Sequence, residues 1–439
     1  MDIERLAAQN PWWADKGAIE KDSKVIKVLE TGSKIEFSID EDNKVLIGPR
    51  QLGKTTAFKF DIYKKIIKGN TDPSSILYFL FDTTRSYEEI SDVINTFVKG
   101  KGRKLLYLDE VSFVDGWQRA IKSFLDSDVS SSAIIHVTGS SSINLKKELM
   151  PGRKIKFVEF LPLSFGEFLL SFGSETLRKS IKRHKAADLG EALKNSSKMV
   201  THFDEITKWF NIYIKTGGYP DAILEYLGKN EVSTELYDVH WNAFISDISK
   251  SNKSVEIATA VIYGIIESYS SKVNLSKIAQ MQGVKSHVTV REYIESFGDL
   301  FVAKSVFPMA GKKHVFRKER KIYFCDPLLY HMFSKKMNII DKESEPKVVE
   351  GILFNHLFRF ANRGKEISDP KTAISFFSGN KEIDFILNGF GFELKWQEKV
   401  APSDFPKTDL DVKVLLCRKT YDVETDTKII PLQLFLALI

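Results

Sequence analysis

Cysteine is nearly absent from this chain of 439 residues: only Cys325 and Cys417 occur, and neither has a partner at a metal-binding spacing. A disulfide scaffold and a zinc site are therefore not expected, and a reducing, cytoplasmic compartment is the default. Long apolar runs are missing as well. No stretch approaches the roughly 18 to 20 apolar residues that span a bilayer, so no membrane partner is expected. The start, Met1-Asp2-Ile3-Glu4-Arg5, lacks a basic region followed by an apolar one, which argues against secretion. Neither sign of charge dominates: the net charge is +6 and the pI about 8.8, which permits nucleic acid as a partner without requiring it. Long repeat arrays are also lacking.

What remains is the composition of a globular protein, 43% hydrophobic and 28% charged, at a length that implies about two to four domains. Its strongest local signal is Gly48-Pro49-Arg50-Gln51-Leu52-Gly53-Lys54-Thr55, which follows the apolar run Val45-Leu46-Ile47 and leads into a helical stretch from Thr56 to Lys68. Strand, glycine-rich loop and helix together form the phosphate-binding P-loop, or Walker A motif. Gly48 and Gly53 let backbone N–H groups turn inward around a polyphosphate, and the helix N-terminus adds partial positive charge. Lys54 would reach the β- and γ-phosphates, and the Thr55 hydroxyl would ligate Mg²⁺. A second run, Lys104-Leu105-Leu106-Tyr107-Leu108-Asp109-Glu110, ends a buried-strand pattern in two carboxylates, as a Walker B strand does. Asp109 would hold Mg²⁺ through water, and Glu110 would polarise the attacking water. ATP with Mg²⁺ is the expected cofactor and nucleotide hydrolysis the expected chemistry.

Strand-like runs at Val45 to Ile47, Ile76 to Phe81, Leu105 to Leu108, Ala133 to Val137 and Ile155 to Glu159 alternate with helical ones, which predicts a parallel α/β sheet. Ahead of them, Trp12 and Trp13 either flank the adenine or pack on the edge of the ATPase, and packing is favoured. The fourth strand runs into Thr138-Gly139-Ser140-Ser141-Ser142. Ser140, with Thr138 close behind, is the candidate for orienting the attacking water, the sensor 1 role; a serine turn capping the next helix is the alternative. Arg153 is placed to act as an arginine finger, in its own chain or a neighbour, or else as an ordinary surface arginine.

Residues Arg178 to Lys208 read as a helical lid, and Gly217-Gly218-Tyr219-Pro220 is a sharp helix terminator. Helical runs at Val261 to Tyr269, Leu275 to Met281 and Ser286 to Ile294, the last capped by Ser286, form a helix-turn-helix pattern. Val302 to Phe307 and Lys321 to Phe324 would be strands of a wing, and the run from Gly311 to Lys321 carries six Lys or Arg against one Glu. Lys312, Lys313, Arg317 and Lys318 are the candidate DNA-phosphate contacts. A protein-interaction module is the alternative, with DNA favoured.

After a charged linker, Met337 to Lys347, four residues near the C-terminus form a constellation. Glu350 lies on a predicted helix from Val348 to Phe360, and Asp384 lies in the apolar strand Ile383 to Leu387. Glu393 and Lys395, two apart on the next strand, point to one face. Two acids that gather Mg²⁺ or Mn²⁺, with a lysine beside them, suit phosphodiester hydrolysis. An ion pair between Asp384 and Lys395 would satisfy the same buried carboxylate without any metal.

The Walker A form through Thr56, Leu108-Asp109-Glu110, Thr138-Gly139-Ser140-Ser141 and Leu161-Pro162-Leu163-Ser164-Phe165 resemble the archaeal and bacterial AAA+-type P-loop ATPases of the AAA_14/DUF4143 group. The resemblance extends through Gly218-Tyr219-Pro220, similar to the G-x-P element of STAND-like ATPases, whose proline, here Pro220, lies near adenine. It continues through the winged helix to a tail like the PD-(D/E)xK nuclease fold, in which Glu350, Asp384, Glu393 and Lys395 correspond to the helix acid, the metal acid and the E-x-K pair. The expected organisation is an AAA+ core over 1–170, a helical lid over 171–250, a winged helix-turn-helix over 251–336 and a restriction-endonuclease-like α/β domain over 348–439. DNA is the expected partner, with a homo-oligomer and a protein partner left open. The leading expectation is a DNA-associated ATPase; a STAND-like switch with an inactive nuclease-like tail is the alternative.

Overall fold

A computed structural model describes residues 3–30, 39, 41–84, 86–99, 102–140, 152–310, 313–314, 319–366, 368, 374–378 and 382–439. The chain divides into two compact units, Met1–Leu161 and Pro162–Ile439. Residues 162–170, assigned to the ATPase core on sequence, thus fall in the second unit.

The first unit is built on five strands: β1 Lys44–Ile47, β2 Ile76–Leu80, β3 Lys104–Asp109, β4 Ala133–Gly139 and β5 Lys156–Glu159. All pair in parallel, in the order β2-β3-β4-β1-β5. Helices Lys54–Tyr63, Tyr87–Val98 and Trp117–Leu125 connect them, and the strands read as near-continuous apolar runs because both faces of such a sheet are covered. β4 is central, between β1 and β3, so the loops that follow these three strands converge at one end of the sheet. That is the switch-point geometry in which open α/β sheets bind ligands.

The free edge of β2 is closed by side chains from residues 9 to 13. In a strand, alternate residues turn their backbone groups to the same edge, here Ile76, Tyr78 and Leu80. The buried Asn10 amide accepts from Tyr78 N–H at 2.7 Å and donates to Tyr78 C=O at 2.9 Å. Gln9 accepts from Leu80 N–H at 2.9 Å, and the Trp12 and Trp13 indoles donate to Ile76 C=O at 3.2 and 2.8 Å. The tryptophans therefore pack on the edge of this sheet, the placement favoured on sequence, and an edge open to another chain is covered.

The second unit begins with helices, among them Phe165–Phe172, Glu175–His184, Leu189–Met199, Phe203–Thr216, Pro220–Lys229 and Thr234–Lys250. Val255–Glu267, Leu275–Met281 and His287–Asp299 follow, and the Ser286 hydroxyl caps the last by accepting from Thr289 N–H. The strands of this unit are β6 Ala303–Ala310, β7 Lys313–His314, β8 Lys321–Phe324, β9 Ser375–Ser378, β10 Glu382–Leu387, β11 Phe390–Lys395, β12 Val412–Cys417 and β13 Thr427–Pro431. β6 pairs antiparallel with β8 and in parallel with β9. The spans 251–336 and 348–439 consequently share one mixed sheet, ordered β13-β12-β11-β10-β9-β6-β7. The helix Ser344–Ala361 starts inside the expected linker, with Pro346 in its first turn, where a missing N–H costs nothing. Cys325 and Cys417 are free thiols. Among the described residues no helix is long and apolar enough to cross a membrane.

Candidate functional site

At the end of β1 the chain turns tightly against its neighbour. A Cβ on Gly48 would lie 1.9 Å from the Phe160 carbonyl oxygen, so only glycine fits there. Gln51 and Gly53 take positive φ, 59° and 92°, and Gly53 caps the helix that begins at Lys54. Pro49 and Leu52 are buried, Arg50 is half-buried and Gln51 is exposed. The Lys54 ammonium donates to the Gly48 and Pro49 carbonyls, each at 2.7 Å, and is only 7% exposed. Thr55 and Thr56 occupy the first helical turn, where N–H groups lack intrahelical partners.

Asp109, fully buried at the end of β3, accepts from three hydroxyls. Thr55 donates to its Oδ2 at 2.7 Å, Tyr78 donates to the same oxygen at 2.8 Å, and Thr138 donates to Oδ1. Burial, and then the facing Asp109 carboxylate, push the Tyr78 phenol far above its ordinary value, which keeps it a donor. The next residue, Glu110, is half-buried in the left-handed region at φ 59° and ψ 32°, and its N–H donates to the Thr138 hydroxyl at 2.9 Å. A non-glycine residue held there is strained by about 1–3 kcal/mol, a cost that such sites carry where a side chain must be aimed. Sequence reasoning put Ser140 ahead of Thr138. The hydroxyl in contact with Asp109 and Glu110 is that of Thr138, whereas Ser140, 3% exposed, donates its N–H to Ser112 Oγ at 3.1 Å. Ser141 and Ser142 lie outside the described residues.

Two residues of this region carried no sequence signal. Tyr78 sits inside an ordinary apolar run, and Lys59 looks like a surface helix lysine. The Lys59 ammonium is nevertheless buried, 3.7 Å from the centre of the Tyr78 ring, 5.0 Å from that of Trp12 and 3.5 Å from Asp22. Burial lowers its pKa against the opposing pull of Asp22 and Asp109. Arg153 is engaged within its own unit, making a two-pronged pair with Asp126 at 2.9 and 2.6 Å.

In the second unit Pro220 opens the helix Pro220–Lys229. The turn before it is fixed by the buried Asp326, which accepts from Gly218 N–H at 2.9 Å and from Leu328 N–H at 2.8 Å. A Cβ on Gly218 would meet the Leu163 carbonyl oxygen at 2.1 Å, which explains the paired glycines. Burial pushes the Asp326 carboxyl up to about 7 although both N–H groups favour its charged form.

Of the candidate DNA contacts, Lys312, Arg317 and Lys318 lie outside the described residues, and Lys313 is placed by its backbone, in β7. Lys321, counted on sequence in the same basic run, does not face solvent: it is 1% exposed and its ammonium lies 3.0 Å from Glu350, 2.7 Å from Glu382 and 3.1 Å from Asp384. The tail constellation therefore assembles, with a different cation. Leu394 N–H donates to Asp384 at 3.0 Å and Asp384 N–H to Glu393 at 3.4 Å, which brings the two acids together as expected. Lys395, however, pairs with Glu393 at 2.7 Å, and the charge of Asp384 is met by Lys321. An ion pair between Asp384 and Lys395 was, on sequence, the alternative to a metal site; it does not form because β8, distant in sequence, delivers a lysine to the same point. Burial, with repulsion from Asp384, raises Glu350 and Glu393 each to about 7. Among the described residues no group of three or more His, Cys, Asp or Glu is arranged to hold a metal ion.

Residues 40–169 match the AAA domain family, and residues 207–338 match a domain of unknown function, DUF8612. An uncharacterized protein of Methanocaldococcus jannaschii is 25% identical over 387 residues, covering 85% of this chain and 78% of its own length. A Haemophilus influenzae protein, also described as uncharacterized, is 25% identical over 373 residues, 80% of this chain and 81% of its own. Among solved structures, the Aeropyrum pernix ORC1 protein in complex with DNA covers 74% of this chain and 96% of its own at 12% identity, with a TM-score of 0.32. The Thermotoga maritima RuvB Holliday junction branch migration motor covers 74% and 95% at 14% identity, with a TM-score of 0.28. Strand order, loop and family match coincide: the first unit has a P-loop α/β fold of the AAA ATPase type, and the AAA domain match over residues 40–169 covers all five of its strands.

Proposed function

We propose that this protein binds and hydrolyses ATP in its first unit and couples that cycle to DNA held by the second. The observation that carries the reading is the hydroxyl-linked chain Thr55–Asp109–Thr138–Glu110 at the mouth of a loop that can only be glycine at Gly48. The donor set, a hydroxyl beside a carboxylate, suits the hard cation Mg²⁺. Thr55 and, through water, Asp109 would hold it, and the ion would offset charge on the phosphate oxygens. Lys54 and the N–H groups of residues 50 to 56 bind the phosphates. Glu110, aimed by its strained backbone, takes the role of base, and Thr138 keeps Asp109 and Glu110 in register. Arg153 would act as a finger only after leaving Asp126.

DNA engagement rests on three helices ending in His287–Asp299, the antiparallel pair β6 and β8, and the basic run between these strands. A second reading has an observation in its favour. With the Lys321 ammonium among its acids, the tail does not fit a divalent metal, as a STAND-like switch with an inactive nuclease-like domain would require. Turnover and DNA binding by the purified protein test both readings. Glu110→Gln should retain ATP while losing hydrolysis, and Lys54→Ala should lose ATP binding. Joint neutralisation of Lys312, Lys313, Arg317 and Lys318 should weaken DNA binding and flatten its salt dependence, since fewer counterions are released. Parental turnover in Glu110→Gln would refute the catalytic assignment, and an unchanged salt slope would move the DNA site elsewhere and favour the switch.

A further inference from the structure

We propose that Lys321 is the resident cation of the acid cluster in the C-terminal sheet, set where a nuclease of this architecture would carry its divalent metal, so that β8 closes the cluster from within. The inference deepens the reading of the tail and does not depend on ATP hydrolysis.

Lys321 comes from the strand that pairs with β6, while its partners come from the helix Ser344–Ala361 and from β10. Its stem is buried and its three ammonium protons have three carboxylates within 3.1 Å, Glu350, Glu382 and Asp384. Tyr323, two residues on and therefore on the same face of β8, donates to Glu350 at 2.5 Å. Such an arrangement uses every donor the lysine has.

Charge accounting supports the same view. Glu382 is shared with a second ammonium, Lys272, at 3.0 Å. Against burial, these two lysines hold Glu382 below its usual range. Burial alone would depress Lys321, yet the three carboxylates raise it overall, so it stays charged. Two buried or half-buried ammonium groups, Lys272 and Lys321, thus stand against the carboxylates of Glu350, Glu382 and Asp384. A divalent cation entering beside an intact ammonium would meet its repulsion and find the same three carboxylates already engaged. Lys395, which would orient water in a working nuclease site, is turned to Glu393 and is 43% exposed. Of the acids expected at a metal centre, Glu350 and Asp384 are thus engaged in tying β8 to the helix and strand of the tail.

Mn²⁺ binding to the nucleotide-free full-length protein, counted by electron paramagnetic resonance at pH 6.5, tests the assignment, with DNA nicking measured in parallel. Parent and Asp384→Asn should bind the same number of Mn²⁺ ions, and neither should nick DNA in an Asp384-dependent way. Lys321→Met, which keeps the stem and removes the charge, should gain one Mn²⁺ per chain, and Lys321→Met with Asp384→Asn should lose it again. An Mn²⁺ ion in the parent that disappears in Asp384→Asn overturns the proposal, as does a folded Lys321→Met that gains none. Should Lys321→Met fail to fold, the comparison of parent with Asp384→Asn still decides. ATP turnover should be unchanged in Asp384→Asn, so a failure here is distinguishable from a failure of the ATPase reading.

Discussion

Asn10→Ala should destabilise the first unit well beyond what a single small side chain suggests. Asn10 is fully buried, and its amide makes three hydrogen bonds: to the Leu6 carbonyl at 2.7 Å, and to both the N–H and the C=O of Tyr78. Alanine removes these and leaves two backbone groups of β2 without partners in a dry environment. A net loss of about 1 kcal/mol for each bond, plus the cost of orphaned groups, gives about 2–4 kcal/mol. For a unit of this size that corresponds to a melting shift on the order of 5–15 °C. Asn10→Asp should be worse at neutral pH, because a carboxylate cannot donate to the Leu6 and Tyr78 carbonyls and repels both. Tryptophan fluorescence during thermal unfolding reads the change, since Trp12, Trp13 and Trp117 all lie in this unit. A shift below about 1 °C in Asn10→Ala would show that the edge of β2 is held by something other than this amide.

Thr138→Val keeps the shape of the side chain but strips one donor from the buried Asp109 and the acceptor from Glu110 N–H; turnover should fall at least tenfold, a barrier change of about 1.4 kcal/mol, with nucleotide affinity nearly preserved. Equal losses in Thr138→Val and Ser140→Ala would return the sensor role to an open choice. Thermal melting of the second unit should also depend on pH. Asp326 has a folded pKa of about 7, above its ordinary 3.8, so its contribution is fully present below about pH 4 and is lost as pH rises through 7. Glu350 and Glu393 act in the same direction, from 4.5 to about 7. Asp326→Asn should make the fall in melting temperature between pH 4 and 7 shallower, and an unaltered slope would show that the carboxyl is hydrated rather than buried.

Much of the first unit is legible in the sequence because its strands are covered on both faces and so appear as unbroken apolar runs. The P-loop stands out for the same kind of reason: close approach to Phe160 leaves glycine no substitute at Gly48. Asp109 is visible as a carboxylate closing an apolar run. Tyr78 is not, since a phenol within Ile76–Leu80 is indistinguishable from any other core aromatic until β3 is laid beside it. Lys321 is the opposite case. It stands in a run of basic residues, and only pairing across chain separations of 29 and 63 residues, to Glu350 and Asp384, reveals that its charge is spent indoors. The tail hairpin was legible because Glu393 and Lys395 obey the two-residue period of a strand, whereas the cation opposite Asp384 depends on register between distant segments.

The parallel pairing of β6 with β9 has a consequence for biosynthesis. As the chain emerges from the ribosome, β6 meets β8 almost at once, but its other neighbour is Ser375–Ser378, which pairs through Phe307↔Ser375. At about 5–20 residues per second, roughly 70 residues of further elongation hold that edge unpaired for several seconds. A nascent chain, or a recombinant fragment cut after Pro327–Lys336, would display an open strand edge with Phe307 on it, a ready template for a second molecule. Ser375–Ser378 thereby acts as a late cover for a strand made long before it, and a fragment ending after Lys336 should come out of cells as aggregate.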